Sequence, residues 1–170
     1  MDLVITSAKG LEAKASAEFK EIALLHGLKK FTIEKSAYDG ILEIDLENPR
    51  AFISLLRDYV RSEPFRVHFI LRVIPVDVVI DTNLDQIKQV AAQFSEKIEK
   101  GESFRITVEA RDSPYSNSAL IEAVADSVES KVNLDSPDRI ILVEIFGEYT
   151  AMSLVRPDEI LSIVKLKRSS

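Results

Sequence analysis

The chain has no cysteine, and its 170 residues include only five glycines and two histidines. Without cysteine, disulfides, thiolate metal sites and a cysteine nucleophile are excluded within it. The glycines stand at positions 10, 27, 40, 101 and 147, too far apart for a phosphate-binding loop or a dinucleotide G-x-G-x-x-G motif. Their dispersion equally leaves no glycine-rich pyrophosphate loop for acetyl-coenzyme A or S-adenosylmethionine.

The histidines and acidic clusters do not form a recognisable catalytic or metal site. His26 and His68 lie in different predicted elements, and neither has a carboxylate or a second imidazole at the spacing of metal ligands. Glu43, Asp45 and Glu47 alternate along one predicted strand, and a solvated strand edge explains them without acid–base chemistry. We therefore expect a non-catalytic chain that uses neither a metal nor a cofactor.

Long apolar runs are absent too. No stretch approaches the ~18–20 uninterrupted apolar residues of a transmembrane helix. Met1, Asp2 and Leu3 lack the basic character that opens a secretory signal. Together with the missing cysteines, this predicts a cytoplasmic protein that has no membrane partner.

The charge is unevenly distributed along a chain of globular composition, 46% hydrophobic and 29% charged. Residues 1–75 contain eleven Lys/Arg and eleven Asp/Glu, whereas residues 76–170 contain eleven and seventeen, which accounts for the net charge of −6. A protein that holds nucleic acid by bulk attraction is basic, because each phosphate contact uses a cation. Any nucleic-acid site here must therefore be a local patch on an acidic body.

The apolar pattern of residues 1–73 predicts one small domain. A helix follows the first strand and ends near His26-Gly27, and a second helix begins at Pro49, where proline suits the first helical position. Strands are predicted at 3–5, 31–33, 41–46 and 65–71. The resulting β-α-β-β-α-β order is that of the ferredoxin-like arrangement.

Residues 74–170 have a different order and are predicted as a second, α/β domain, so that the whole chain is an α+β protein of two domains. An extended segment at 74–80 leads to a helix capped by Thr82-Asn83. The further predicted elements are a strand at 104–108, a helix at 119–132, strands at 140–146 and 149–155, a short helix or turn at 158–163, and a basic tail at 165–170.

Several polar residues of this second half are candidates for phosphate binding. Arg105 and Arg111 bracket one predicted strand, and a helix start built from Ser116, Asn117 and Ser118 follows. A helix N-terminus offers free backbone N–H groups and a positive dipole end, and an arginine beside it adds bidentate donors. Ordinary capping next to a surface arginine is the alternative.

A compact basic cluster near the C-terminus is the other candidate. It consists of Lys165, Lys167 and Arg168. Such a cluster binds phosphate if it folds against the body of the protein, and otherwise it is a solvated tail.

The residues from Ile74 onward resemble the THUMP domain, a module of RNA-modifying enzymes. The resemblance is carried by Ile74-Pro-Val-Asp77, Phe104-Arg-Ile-Thr-Val108, Val132-Asn-Leu-Asp-Ser-Pro-Asp138 and Val143-Glu-Ile145 with Gly147. The first half resembles the ferredoxin-like domain that commonly precedes THUMP, through Ser7-Ala-Lys-Gly-Leu-Glu12. This assigns 1–73 to the ferredoxin-like domain and 74–170 to the THUMP domain.

The resemblance implies tRNA as a partner, contacted by the candidates above and by Lys131 and Arg139, which flank the V-x-L-x-x-P-D loop. Recognition would be led by shape, through phosphates and 2′-hydroxyls of an A-form stem or a single-stranded 3′ end. Among THUMP proteins the chain looks most similar to the stand-alone adaptor for tRNA cytidine acetylation. There a partner acetyltransferase makes N4-acetylcytidine and the adaptor presents the tRNA.

Two other functions stay open. The first is a protein-interaction or scaffold module that docks through its acidic surface without binding RNA. The second is the RNA-binding subunit of a split tRNA methyltransferase or thiouridine synthetase. Because the sequence ends directly after the THUMP-like segment, we expect no catalytic domain within it.

Overall fold

Two five-stranded sheets, each with its own apolar core, make up residues 1–169, which the computed structural model describes. Unit 1 consists of Met1–Val76 and the segment from Asp158 onward, and unit 2 is Asp77–Pro157. In chain order the elements are β1 (Leu3–Thr6), α1 (Glu12–Leu25), β2 (Phe31–Lys35), β3 (Ile41–Leu46), α2 (Pro49–Ser62), β4 (Arg72–Pro75), β5 (Val78–Asp81), α3 (Leu84–Lys97), β6 (Ser103–Arg111), α4 (Asn117–Asp126), β7 (Lys131–Val132), β8 (Arg139–Phe146), β9 (Tyr149–Val155), β10 (Leu161–Ser162) and α5 (Ile163–Arg168). Short 3-10 turns occupy Pro64–Arg66 and Pro157–Glu159.

The sheet of unit 1 has the strand order β10-β4-β1-β3-β2, and every pairing in it is antiparallel. The elements from β1 to β4 follow the β-α-β-β-α-β order, which confirms the predicted ferredoxin-like arrangement. The two long helices bury an aromatic cluster against the sheet. The ring of Phe19 lies 4.9 Å from that of Phe52 and 5.3 Å from that of Phe31, between centroids.

The predicted strand at 65–71 was wrong. Residues 64–66 form a 3-10 turn, and the fourth strand begins only at Arg72. The backbone between them has another partner, because the buried carboxylate of Glu18 accepts hydrogen bonds from the N–H groups of His68 at 2.8 Å, Phe69 at 3.0 Å and Ile70 at 2.9 Å. The Glu18 carboxylate thus accepts the backbone hydrogen bonds that a neighbouring strand would otherwise accept. The sequence of this segment therefore has the apolar pattern of a strand, although the segment does not pair as a strand of the sheet.

The observed units also differ from the predicted limits of 1–73 and 74–170. β4 runs on to Pro75 in the sheet of unit 1, where that residue pairs with Leu3. The segment predicted as a short turn and a basic tail returns to unit 1, because Leu161 pairs with Val73, and Ile163 and Leu166 of α5 are buried in its core. Three apolar residues within six positions are too few to define a helical period, so α5 has no clear signal in the sequence.

The sheet of unit 2 has the order β5-β9-β8-β6-β7. β6 runs parallel to β7 and β8, whereas β9 is antiparallel to β8 and β5. One face packs against α3 and α4 in a core that includes Phe94, Phe104 and Leu120. The predicted caps are confirmed, since the side chain of Asn83 accepts from Gln86 N–H and that of Ser116 accepts from Ala119 N–H, each at 3.1 Å.

Helix α4 ends at Asp126 rather than continuing to 132 as predicted. Lys131 and Val132 instead form β7, which pairs with Ser103 and Phe104 of β6. The valines that matched a helical period after position 126 are β-branched and suit a strand as well. Throughout residues 1–169, no helix combines the length and the apolar content that crossing a bilayer requires.

Candidate nucleic-acid interface

Strand β6 positions most of the residues that the sequence predicted as RNA contacts. Its residues Phe104, Ile106 and Val108 pack into the core of unit 2, so Arg105 and Arg111 lie on the opposite face of the sheet. Arg111 is six positions after Arg105, which corresponds to about 20 Å along a strand. They therefore mark opposite ends of β6 and cannot hold the same phosphate.

The predicted residues of unit 2 form two groups as a consequence. The carboxyl-end group, where β6 ends and α4 begins, is Arg111, Ser116, Asn117 and Ser118. The amino-end group, where β6, β7 and β8 begin, is Arg105, Lys131 and Arg139. The parallel pairing sets the starts of these three strands side by side, with Ser103 opposite Lys131 and Phe104 opposite Arg139. Because Phe104 faces the core, Arg139 lies on the helix-covered face of the sheet, whereas Arg105 and Lys131 lie on the other face.

In the carboxyl-end group, Arg111 is engaged within the protein. One terminal nitrogen of its guanidinium donates to Glu144 Oε2 at 3.0 Å, and the guanidinium carbon lies 4.6 Å from the ring centroid of Phe146. Glu144 is 3% exposed, so its charge needs a nearby cation. The exposed side of the guanidinium still has unused donors, because arginine carries five N–H groups in a fixed fork. Arg111 thus forms a structural ion pair with Glu144 and also has donors at the surface beside α4.

The start of α4 is exposed, as a phosphate site requires. Ser116, Asn117 and Ser118 are all exposed, and α4 has no acidic residue in its first turn. The Ser116 hydroxyl is occupied in capping Ala119 N–H, so the free backbone donors and the dipole end remain the groups that favour an anion. Asp112, with a left-handed φ of 50°, directly follows Arg111 and adds a negative charge to this loop.

The amino-end group contains one half-buried cation, Arg105, and one exposed cation, Lys131. Arg105 donates to the carbonyl oxygen of Leu134 at 3.2 Å, which directs its guanidinium towards the loop after β7. Lys131 is exposed on β7, on the same face of the sheet as Arg105. Both side chains are accessible to a phosphate backbone.

The third member of this group, Arg139, has a different setting. Its side chain is 13% exposed, pairs with Glu102 at 3.6 Å and donates to the carbonyl oxygen of Lys97 at 3.4 Å. Arg156 shares the same carboxylate at 3.0 Å. The Glu99 N–H group and these arginines hold the pKa of Glu102 below its ordinary value. An RNA contact by Arg139 would require this ion-pair network to open.

The V-x-L-x-x-P-D loop is held by its own polar residues. The side-chain oxygen of Asn133 accepts from the N–H groups of Asp135 and Ser136, at 3.2 and 3.0 Å. The carboxylate of Asp138 accepts from Ser103 N–H at 2.8 Å and from the Ser103 hydroxyl at 3.2 Å. Asp138, at the end of this motif, thus fixes the start of β6.

The remaining predicted residues, Lys165, Lys167 and Arg168, lie on α5 of unit 1. Lys165 and Arg168 are exposed, and the Lys167 ammonium donates to the carbonyl oxygen of Val67. The cluster is folded against the body of unit 1, which is the condition under which it was expected to bind phosphate.

The two units differ in charge more strongly than the two halves of the sequence do. Unit 1 holds fourteen Lys/Arg and thirteen Asp/Glu, a net charge of +1, whereas unit 2 holds eight and fifteen, a net charge of −7. The return of α5 to unit 1 contributes to this difference. Electrostatics therefore favours unit 1 over unit 2 as the surface that a polyanion approaches first.

Sequence reasoning missed an exposed aromatic ring among the cations of unit 1. Phe65, in the 3-10 turn after α2, is 86% exposed. Arg57 and Arg61 of α2 lie one turn apart on the same side of the helix. The sequence signal was the set of cations Arg57, Arg61 and Arg66 around Phe65, which the assignment of 65–71 to a strand concealed. In the described part of the chain, no cluster of three metal-ligating side chains is present.

The sequence matches the family described as THUMP domain over residues 81–155. A THUMP domain is therefore present, and it falls within unit 2. This confirms the resemblance of the second half, while the match leaves the first 80 residues outside it.

The chain is also similar to longer proteins. It is 22% identical over 175 residues to an uncharacterized protein of Methanocaldococcus jannaschii, MJ0421, covering 100% of the chain and 45% of that protein. Among solved structures, PH1313 from Pyrococcus horikoshii Ot3 matches with a TM-score of 0.66 and 17% identity, over 95% of the chain and 55% of PH1313. A 4-thiouridine synthetase, solved in complex with RNA and with bound ATP, matches with a TM-score of 0.57 and 13% identity, over 92% of the chain and 41% of the synthetase. The chain thus spans about half the length of the proteins it matches, and these similarities establish its fold.

Proposed function

We propose that this chain binds tRNA and presents it to a tRNA-modifying enzyme without catalysing the modification itself. The observation that carries this proposal is the THUMP domain at 81–155 combined with a ferredoxin-like unit 1. The similarity in fold to a 4-thiouridine synthetase that was solved with RNA supports it. The scattered glycines and the absence of cysteine support the non-catalytic part.

The enzyme that we propose as the partner is an acetyltransferase that forms N4-acetylcytidine. This assignment comes from the sequence resemblance to the stand-alone acetylation adaptor. It predicts that purified chain increases the rate at which such an acetyltransferase modifies tRNA, and that the increase depends on RNA binding by the chain.

The contacts that we propose are few and directed. A net charge of −6 excludes attraction by bulk charge, so binding depends on local groups that can reach a phosphate. On unit 2 these are Arg105 and Lys131 at one end of β6, and the α4 start with Arg111 at the other. Contacts of this kind reach phosphates and 2′-hydroxyls and read the shape of RNA rather than its sequence.

A salt titration tests RNA binding directly. Filter binding is measured with total tRNA and with a DNA duplex of similar length as the control. With ~2–4 phosphate contacts, and ~0.7–0.9 counterions released per contact, the slope of log affinity against log salt should be about −2 to −4. Failure to bind tRNA at low salt, with the modifying enzyme present, would reject the proposal in favour of a protein-interaction module.

A second assay tests catalysis. The chain alone is incubated with tRNA and labelled acetyl-coenzyme A, and separately with labelled S-adenosylmethionine. We expect no label in RNA above background. Incorporation by the chain alone would show that it is an enzyme.

A second candidate function is favoured by chain length. Since the chain spans 45% of MJ0421 and 41% of the 4-thiouridine synthetase, it also fits the RNA-binding part of a tRNA methyltransferase or thiouridine synthetase. Adding the chain to purified enzymes of each class separates the candidates, because only the true partner should gain activity on tRNA.

A further inference from the structure

We propose that unit 1 carries a stacking site for an unpaired base of RNA, formed by the exposed ring of Phe65 and the cations around it. This inference rests on the proposed function, because it assumes that the ligand is RNA, and it adds a place and a mode of binding that the THUMP domain does not supply. The Phe65 patch is defined here as Arg61, Phe65, Arg66, Lys165, Lys167 and Arg168.

The ring of Phe65 is unusually accessible for its type. It is 86% exposed, the highest value among the large hydrophobic side chains that are exposed in residues 1–169. Its position is nevertheless well anchored, because Pro64 opens the turn and Val67, two residues later, is fully buried in the core of unit 1. An aromatic ring held on a short, anchored turn offers a π-face at little entropic cost.

Helix α2, which directly precedes the Phe65 turn, supplies some of the cations. Arg50, Arg57 and Arg61 share one flank of α2, at spacings of seven and four residues. The first two are engaged by the segment that leads to α5, since Arg50 pairs with Glu159 and Arg57 donates to the carbonyl oxygen of Asp158. Arg61, one turn further towards Phe65, is exposed and forms no ion pair within residues 1–169.

Helix α5 supplies the remaining cations. It contacts α2 and buries Ile163 and Leu166 against it, while Lys165 and Arg168 remain exposed. Lys167 donates to the carbonyl oxygen of Val67, which places the basic end of α5 beside the Phe65 turn.

The acidic groups near the patch do not cancel these charges. Glu63 is the acidic neighbour in the turn, and it lies 3.7 Å from Arg66 in an exposed pair, an interaction that solvent weakens. Asp58 lies three residues before Arg61 on α2 and is therefore its neighbour. It is exposed and forms no ion pair with Arg61 within residues 1–169, so solvent weakens its effect as well. The patch is therefore a local positive area on a protein of net charge −6.

These features together select an unpaired stretch of RNA as the ligand. A base that stacks on Phe65 must be unstacked from its neighbours, which a single-stranded end or loop permits and a duplex does not. The flanking cations then reach the phosphates on either side, a combination of aromatic platform and positive groove that binds single strands with little sequence preference.

The absence of tryptophan from the chain makes the test direct. The Phe65→Trp variant of the full chain carries a single tryptophan at the proposed site. Its fluorescence should be quenched by an eight-nucleotide oligo(U) and by tRNA, and not by an abasic oligomer of the same length, which keeps the phosphates but has no base to stack. No quenching at saturating oligo(U) would overturn the proposal.

Affinity provides the second readout. Phe65→Ala should weaken binding of oligo(U) by about 5- to 150-fold, the range of one lost base–aromatic stack. Leu24→Ala is the matched control, because Leu24 is 61% exposed on α1 and its truncation removes exposed apolar surface away from the patch. Its affinity should equal that of the wild type.

A charge arm completes the test. Arg61→Ala should reduce the slope of log affinity against log salt by about 0.7, whereas Lys20→Ala, an equal change in charge on α1, should leave it unaltered.

If the wild type binds tRNA but Phe65→Ala binds it equally well, the stacking site is wrong and the proposed function stands. A Phe65→Ala variant that keeps tRNA but loses the modifying enzyme would likewise overturn the stacking site, and would assign the surface to protein contact. If the wild type binds neither oligo(U) nor tRNA, both proposals fail.

Discussion

Arg111 at the end of β6 pairs with Glu144 of β8 at 3.0 Å, and Glu144 is only 3% exposed. The carboxylate is almost entirely removed from water, so its charge depends on a nearby arginine more than a surface charge would. The residue proposed to meet phosphate is therefore also a residue that holds the sheet of unit 2 together. A simple alanine substitution confuses the two roles.

A double substitution separates them. Arg111→Met should destabilise the protein by about 3 kcal/mol or more, because it removes the cation that pairs with a buried carboxylate. Arg111→Met combined with Glu144→Leu should recover most of that loss, since apolar residues of similar volume replace buried ion pairs at little cost. Urea unfolding measures both effects.

The same pair of variants tests the RNA contact. Both should bind tRNA more weakly by about 1–3 kcal/mol, the scale of a charged hydrogen bond, whereas Lys9→Ala in unit 1 should have almost no effect. Full recovery of tRNA affinity in the double variant would show that Arg111 acts only through the fold.

Glu18 provides a prediction about unit 1. Its carboxylate accepts three backbone N–H groups from residues 68–70, and Glu18→Ala leaves them without their acceptor in a largely buried setting. We expect a loss of about 3 kcal/mol or more, since each unsatisfied buried donor costs ~1–3 kcal/mol. Glu21→Ala, on an exposed position of the same helix, should stay within ~0.5 kcal/mol of the wild type. Equal unfolding free energies for the two variants would contradict the role of Glu18.

Replacing Gly40 should cost more than replacing Gly27. Its φ is +72°, and a Cβ there would lie 2.6 Å from the carbonyl oxygen of Ser7. Gly27 has a similar φ of +80° but no atom within 4 Å of such a Cβ. Gly27→Ala should cost about 1–2 kcal/mol, the penalty of the left-handed conformation alone. Gly40→Ala should cost clearly more, because it adds the clash with Ser7. Thermal unfolding of both variants measures this difference, since the two glycines have similar φ values and so the same conformational penalty.

Local patterns in the sequence were enough to predict most elements of the fold. β3 was predicted with its observed limits, and the caps at Asn83 and Ser116 were identified, because these depend on residues close together in sequence. The errors all involve partners far away along the chain. Glu18 and His68 are separated by 50 positions, and no periodicity reports that a carboxylate replaces a strand.

The candidate site divides in the same way. The α4 start is readable from adjacent polar residues, whereas the burial of Arg139 depends on Glu102, and the engagement of Arg111 depends on Glu144 of another strand. The cations of α5 could be noted from the sequence, but their place beside the turn of Phe65 follows only from the return of the chain to unit 1.

Acid sensitivity should depend on carboxylates that hold the backbone in place. Glu12 on α1 accepts from Gly40 N–H at 2.6 Å, and this bond is the main cause that lowers the pKa of Glu12 below its ordinary value of 4.5. Asp138 of unit 2 is comparable, because the N–H and hydroxyl of Ser103 lower its pKa below the ordinary 3.8. A carboxyl group whose pKa is lower in the folded state than in the unfolded state stabilises the fold above the unfolded value. That stabilisation disappears as the pH falls through the folded value.

The resulting prediction is that Glu12→Gln removes part of the stability at neutral pH and makes the remaining stability less dependent on pH in the acid range. Melting temperatures recorded by circular dichroism from neutral pH down to below the folded pKa of Glu12 check this. The wild-type and Glu12→Gln curves should converge as the pH falls, because protonation does to Glu12 what the substitution does permanently. Glu34→Gln, a change at an exposed position of β2, should instead run parallel to the wild type. A Glu12→Gln curve that stays parallel to the wild type throughout would show that the bond to Gly40 contributes nothing to the pH dependence of folding.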